Sequence, residues 1–288
     1  FHVELWKALA KAGNCRDQQL IDQLLEGLPI VGDVLPSSRW PELMAKDDAL
    51  PVAALLDRAW EIRPKILHNA RKAAITEHSR SIWEATLEDC DEGSSVGPFW
   101  SVDEVSEQLG TDCWVPTQRF EVKQKNKVRG CDSATVNWVN QVTRVTEKLQ
   151  LPSTDANVAC IRMLRSKRPD TQLAAWVLDE RKAYRQIAVR PDHRKFSVIT
   201  FKHHETGRLV FFIMVGHSFG LVSAVYNYNR RSALLDEILR NVFGLVSFNF
   251  YDDKFGFEPS STARSALDCV IFVHKACGCD FALKKVQL

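Results

Sequence analysis

What this chain lacks sets the first limits. No apolar run approaches the roughly 18 residues that a helix needs to cross a bilayer; Leu209 to Val215 is among the longest. A membrane is therefore not an expected partner. Repeats and low-complexity tracts are missing, which leaves no ground for a solenoid or a repeat array. Eight cysteines, at positions 15, 90, 113, 131, 160, 269, 277 and 279, are too sparse for a disulfide scaffold in 288 residues. They point to a reducing, intracellular compartment, cytoplasm or nucleus. A dominant charge is missing too: 38 Lys and Arg against 36 Asp and Glu leave a net +2. Only local clusters can then select a charged partner. The chain opens on Phe1 and stops at Leu288 in mid-pattern, as expected of a piece of a longer protein, so the missing signal peptide excludes nothing.

What is present is ordinary for a globular protein, with 45 % apolar and 26 % charged residues. The length is near that at which one core divides into subdomains. Residues 1 to about 98 read as helical and irregular. Leu5, Leu9, Leu20, Ile21, Leu24 and Leu25 fall at helical spacings, whereas residues 27–51, with four prolines and two glycines, read as loop. A helical pattern returns from Ala53 to about Leu87, with a break predicted at Pro64. Its cations (Arg63, Lys65, Arg71, Lys72, Arg80) read as a solvated face. Residues 91–95 make the best internal boundary.

After Pro98 short apolar runs and turns take over. Residues 119–129 alternate and set five cations (Arg119, Lys123, Lys125, Lys127, Arg129) against Glu121, a basic β-hairpin with Lys125 and Asn126 near its tip. Asn137 to Leu149 reads as a helix. A second basic cluster follows at Arg162, Arg165, Lys167 and Arg168. Two such clusters in a near-neutral chain suggest patches for a polyanion. Residues 173–179 form a near-continuous apolar run ending in Asp179, a buried strand that delivers one carboxylate. A turn or short helix is predicted over 183–189. Two strands, 195–201 and 208–215, flank a polar turn in which His203 and His204 are expected to face solvent. Helices are predicted over 220–243 and 262–277, and a strand over 281–288. The spacings among Cys269, His274, Cys277 and Cys279 fit no zinc ribbon or finger, so they read as packed thiols.

Residues 247–257 organise the rest. Aromatic and apolar residues flank Asp252 and Asp253, so the segment reads as a hairpin with two acids at its tip. Adjacent carboxylates repel unless a cation sits between them. Alone, the pair would be a solvated acidic turn; with other features it becomes half of a metal site. Two-cation phosphoryl transfer needs clustered carboxylates on rigid elements, cations for a triphosphate, and a small residue where a nucleotide meets backbone. The chain supplies Asp179, Asp252 and Asp253, the basic residues 123–129, and Gly220.

These stretches resemble the reverse transcriptases of retroelements with long terminal repeats and their relatives. Residues 177–187 look like the first palm motif, Leu-Asp-Leu-x-x-Ala-Tyr-x-Gln-Ile, with Asp179, Ala183, Tyr184, Gln186 and Ile187 in place. Ser218, Phe219, Gly220, Leu221 and Ala224, then Tyr228 and Arg230, resemble the second motif in its gypsy-type form. Residues 250–253 are similar to the aromatic-x-Asp-Asp box. Residues 120–137 look like the fingers segment, and Leu283, Lys284 and Lys285 resemble the lysine-bearing motif. The likeness covers about residues 114–288.

The resemblance implies an α/β fold of right-hand polymerase type. A helical N-terminal extension (1–98) would precede fingers (about 114–172 and 191–214) and palm (about 173–190 and 215–288), with the thumb absent. It implies an RNA-directed DNA polymerase, a nucleotidyltransferase from a retrotransposon polyprotein. The partners would be an RNA or DNA template with primer and deoxynucleoside triphosphates, and the cofactor two Mg²⁺ ions, with Mn²⁺ as an alternative. Asp179, Asp252, Asp253 and the Glu180 carbonyl would hold metal. Lys123, Lys125 and Arg129 would grip the triphosphate, which the backbone of Lys182 and Ala183 would support. Tyr184 would exclude a ribose 2′-hydroxyl, Phe219 and Gly220 would contact nucleotide and template, and Lys284 or Lys285 would protonate pyrophosphate. Departures from the pattern are Ser218 and Val225 in place of proline, Ala134 in place of a fingers arginine, and the bulky Tyr251 inside the aspartate box. They keep open a decayed nucleic-acid-binding relative. An RNA-dependent RNA polymerase is less favoured, because Ala183 and Tyr184 stand where it would carry a second acid. A two-metal nuclease has no use for a gate tyrosine.

Overall fold

The computed structural model describes residues 2–44, 49–124 and 127–288, which form a mixed α/β fold with several sheets. Helices α1 (Val3–Ala12) and α2 (Leu20–Glu26) bury Trp6, Ala10, Leu20 and Ile21, the side that helical spacing marks as apolar. The loop that follows is irregular except for β1 (Gly32–Asp33). Next come α3 (Val52–Asp57), α4 (Ala59–Lys72) and α5 (Ser79–Asp91). The break predicted at Pro64 is not there, because α4 runs through it; the interruptions fall at Arg58 and residues 73–78. An interior proline costs about 3 kcal/mol. Burying Ile62, Ile66 and Leu67, at about 1.5–3 kcal/mol each, outweighs that.

Strand β2 (Ser95–Phe99), α6 (Val102–Leu109), β3 (Pro116–Gln124) and β4 (Lys127–Asp132) follow. β3 and β4 pair as the predicted basic hairpin; its tip, Lys125 and Asn126, lies outside the described residues. The helix expected over 137–149 does not form. Asn140–Val142 is a single 3-10 turn, and β5 (Thr143–Arg144) leaves it to pair in parallel with β1. The Asn137 Oδ1 accepts the Val139 N–H at 3.3 Å, the local competition by which a short amide diverts backbone from helix, while its amide donates to the Pro116 carbonyl at 3.1 Å and Thr117 Oγ1 at 2.7 Å.

The remaining elements are α7 (Thr154–Lys167), β6 (Leu173–Asp179), β7 (Val198–Lys202), β8 (Leu209–Met214), α8 (Val222–Phe243), β9 (Ser247–Phe250), β10 (Asp253–Pro259) and α9 (Ala263–Ala276). A strand over 281–288 is not formed: Phe281 and Gln287 make isolated bridges to Glu180 and Val177, with a 3-10 turn, Leu283–Lys285, between them.

One sheet has the order β2-β8-β7-β3-β4, parallel only between β3 and β7. β8 is apolar throughout because both its faces are covered. Leu209, Phe211 and Ile213 meet α4 and α6, while Val210, Phe212 and Met214 meet α5. The other main sheet, β6-β10-β9, is antiparallel. Trp176 and Leu178 point from it into a core shared with α1, α2, α8 and α9; the two-residue period turns Asp179 to the opposite face.

Residues 1–98 are therefore not a separate extension. Trp6 and Ile21 share the core of Trp176, and α4 and α5 cover the two faces of the larger sheet. The boundary predicted at 91–95 is the turn from α5 into β2, which pairs with β8. Among the described residues no helix is long and apolar enough to cross a membrane.

Candidate active site

Asp179 ends β6 and Asp253 opens β10, and the antiparallel register sets them opposite one another. Asp252 precedes them in the turn from β9, where the Glu180 N–H donates to its carbonyl at 3.1 Å. Tyr251 completes that turn at φ 53°, a left-handed conformation that costs a non-glycine residue about 1–2 kcal/mol. The Asn249 amide donates to the Tyr251 carbonyl at 2.6 Å and holds the turn in place. The register thus brings Asp179, remote in sequence, to the same sheet end as Asp252 and Asp253.

A cavity of about 260 Å³ opens there, lined by Asp179, Glu180 and Asp252 from the sheet end, Lys182, Ala183 and Arg185 from the next loop, and Arg119 and Arg129 from the basic hairpin, together with Phe219, Lys285 and the last turns of α5. Burial first, then the Asp252 and Asp179 carboxylates, push the Asp253 carboxyl above its usual range, with Lys285 opposing. Lys285 Nζ lies 2.6 Å from Asp179 Oδ2. Of the two candidate lysines it is Lys285 that lines the cavity; Lys284 is exposed beside it.

The donor set suits Mg²⁺, since clustered carboxylates are hard oxygen ligands, and the strained charge on Asp253 is what a cation would relieve. Among the described residues the ligand atoms of His203, His204 and Glu205 cluster within 4.8 Å of one another, and the three aspartates form no such cluster. The histidine group is committed elsewhere. His203, expected in solvent, is buried against the rings of Trp83 and Trp100. Its Nδ1 accepts the Thr206 N–H at 3.3 Å, which caps the turn and leaves the ring proton on Nε2.

Several predicted contacts fall elsewhere. Lys123 is exposed, 3.8 Å from Glu77, and does not line the cavity. Lys125 lies outside the described residues. Lys182, whose backbone was the predicted contact, lines the cavity, and its side chain pairs with the end of α5, 2.9 Å from Glu92 and 3.1 Å from Asp89. Burial lowers its pKa, but these acids outweigh that and leave it raised. Ala183 is buried at the cavity wall. Tyr184 stands just behind the wall, edge-on to Phe219 (5.1 Å) and Tyr228 (5.3 Å). Burial, then the charges of Asp252 and Tyr251, push its phenol up to about 12. Gly220 meets a backbone requirement that the sequence did not reveal. At φ +94° its Cα passes so close to the Asp132 carbonyl that a Cβ would collide with it.

Sequence reasoning missed the ion pairs at the cavity wall, where Arg119, Arg185 and Asp89 are lining residues. Arg119, read as one hairpin cation among five, points inward and grips Asp132 at 2.7 and 2.9 Å. Arg185 lies 3.2 Å from Asp89. The buried Glu180 carboxylate pairs with the buried Arg231, so its backbone is the part left for the cavity. The acidic run from Glu88 to Glu92 was the one available signal, and its end, Asp91 and Glu92, read as part of a boundary. No protein-family model matches the chain, and no curated protein matches it either.

Proposed function

We propose that the chain is an RNA-directed DNA polymerase of the reverse-transcriptase kind, encoded by a retrotransposon. In this reading the five-stranded sheet and its helices are the fingers, and the three-stranded sheet with α8 and α9 is the palm. The observation that carries it is the Asp179–Asp253 pairing, with Asp252 in the adjoining turn, beside a cavity that also takes Arg129 and Lys285. Asp179, Asp252 and Asp253, with the Glu180 carbonyl, would hold Mg²⁺, or Mn²⁺ in its place. Bound metal supplies Lewis-acid stabilisation to a transferring phosphoryl group. Arg129 and the Lys182 and Ala183 amides receive the triphosphate of a deoxynucleotide. Tyr184, behind Phe219, limits the space at the sugar. Lys285, which lines the cavity, would protonate departing pyrophosphate once released from Asp179. The template is RNA or DNA annealed to a primer.

The test is primer extension with deoxynucleotides and Mg²⁺, at primer–template excess. Asp252→Asn is expected to lower extension by about a thousandfold, the loss of several kcal/mol of metal-borne stabilisation, with an unchanged circular dichroism spectrum. Substantial residual synthesis would sink the metal assignment. The hold of Lys285 on Asp179 favours one second reading, a nucleic-acid-binding relative that has lost turnover. It is distinguished by primer–template binding without extension in the unaltered chain.

A further inference from the structure

Helix α5 belongs to the part of the chain to which the sequence assigns no role, yet its last two turns lie against the loop that follows Asp179. Lys182 in that loop has φ 47° and ψ 42°, left-handed backbone that lysine seldom adopts. Its Nζ is 2.9 Å from Glu92, 3.1 Å from Asp89 and 3.4 Å from Glu88. Arg181 pairs with Glu92 and, at 3.7 Å, with Glu88, while Arg185 pairs with Asp89 at 3.2 Å. Glu88 and Asp89 lie in the last turn of α5 and Glu92 is its C-cap, four residues on from Glu88, so the three acids gather at one side of the helix end. Three cations of one short loop are thus matched by three acids of one helix end. Glu88 and Asp89 line the cavity as well, and Glu92 does not, but each of the three is paired with a cation of the loop, so the acids that face the cavity do so as paired charges.

We propose that Glu88, Asp89 and Glu92 are positioning residues for the triphosphate: by tethering Arg181, Lys182 and Arg185 they hold the bend that aims the Lys182 and Ala183 amides into the cavity. The identity of the anion rests on the polymerase reading; the tether does not. Without it the loop relaxes toward the right-handed backbone that lysine prefers, and the amides turn from the cavity. The site then loses affinity for nucleotide before it loses the capacity to react.

The test uses the whole chain, with extension rates measured against deoxynucleotide concentration. Glu92→Gln is expected to raise the nucleotide KM about tenfold, the worth of one charge-assisted hydrogen bond, while kcat stays within about twofold. Glu84→Gln, on the same helix but paired only with Arg80 in solvent, is expected to leave KM unmoved. Lys182→Gln should repeat the Glu92→Gln effect, and Lys182→Arg, which keeps the pairing, should restore the parent KM. A KM unchanged in Glu92→Gln overturns the proposal. A lowered KM overturns it as well, because the acids would then be competing with the triphosphate. If the unaltered chain makes no DNA, the polymerase reading fails and calorimetry with tripolyphosphate takes over. Binding about tenfold weaker in Glu92→Gln than in the parent then supports the tether by itself; equal binding, or none in the parent, overturns it.

Discussion

The Tyr184 ring is fixed on two sides, by Phe219 at 5.1 Å and Tyr228 at 5.3 Å. A ring that cannot swing away is what a steric gate requires, since discrimination comes from space refused and not from a bond made. In the proposed polymerase, Tyr184→Ala is expected to admit ribonucleotides, narrowing the preference for deoxynucleotides by on the order of tenfold or more. Tyr184→Phe should retain the preference, because the ring and not the hydroxyl fills the space. Competing ribo- and deoxynucleotide incorporation measures both, and an unchanged preference in the alanine variant removes Tyr184 from the gate. At this scale the sequence was legible where chemistry and order coincide. The three acids could be named from their motifs. The choice between Lys284 and Lys285 could not, because it depends on which face of a 3-10 turn meets Asp179. Nor could the inward turn of Arg119, which Asp132 across the hairpin and Thr86 on α5 explain.

Between elements, His217 ties the loop before α8 to the chain leaving the Ala183–Gln186 turn. Its Nδ1–H donates to the Ile187 carbonyl at 2.8 Å, and its Nε2 accepts from the Asn227 amide at 2.9 Å. Both nitrogens are used in the neutral form, and a second ring proton would confront the amide donor. Complete burial holds its pKa down to about 4, with the Arg185 charge adding to the effect. Burial, then the Arg190 charge, hold His193 down to about 4 as well. In the unfolded chain both take up a proton near pH 6.5. Their contribution to stability is therefore complete above about pH 6.5 and is lost as the pH falls toward 4, at up to about 1.4 kcal/mol per pH unit for each proton. The urea midpoint is expected to fall steadily from pH 7 to 4.5, and a His217→Asn variant, though less stable, should fall less steeply. A midpoint flat over that interval would contradict it. Periodicity located most elements, including the apolar β8 and the acidic hairpin. It failed over 137–149, where Asn137 hydrogen bonds outcompete a helix, and at Pro64, where burial on both sides of the proline carries α4 through.

Across the whole molecule the two ends of the chain meet beneath the candidate site. The Trp6 indole N–H donates to the Cys277 carbonyl at 2.7 Å, 271 positions away in sequence. Arg230 on α8 grips Asp17, in the link between α1 and α2, at 2.5 and 2.7 Å. No spacing rule reaches across such a separation, which is why the first helices could be placed in the sequence but given no partner. The path from there to the site is short: Cys277, Cys279 and Phe281 lie in the same core as Trp6. The adjoining Ala282 N–H donates to the Asp179 carbonyl at 2.8 Å, three residues before Lys285. Loosening Trp6 should therefore loosen the corner that holds the acids. Trp6→Ala is expected to cost about 3–5 kcal/mol, the range for emptying a buried aromatic site, and Trp6→Phe less, since most of the apolar volume remains while the bond to Cys277 is lost. Removing residues 2–26 takes away α1, α2 and Asp17 together, exposing Leu234, Leu235 and Trp176 and leaving Arg230 without its buried counter-charge; breaking such a pair costs about 3–5 kcal/mol by itself. That shortened chain should lose its cooperative thermal transition and, in the polymerase reading, its metal-dependent extension. If it instead melts as sharply as the parent, the first two helices are dispensable and the shared core does not govern the site above it.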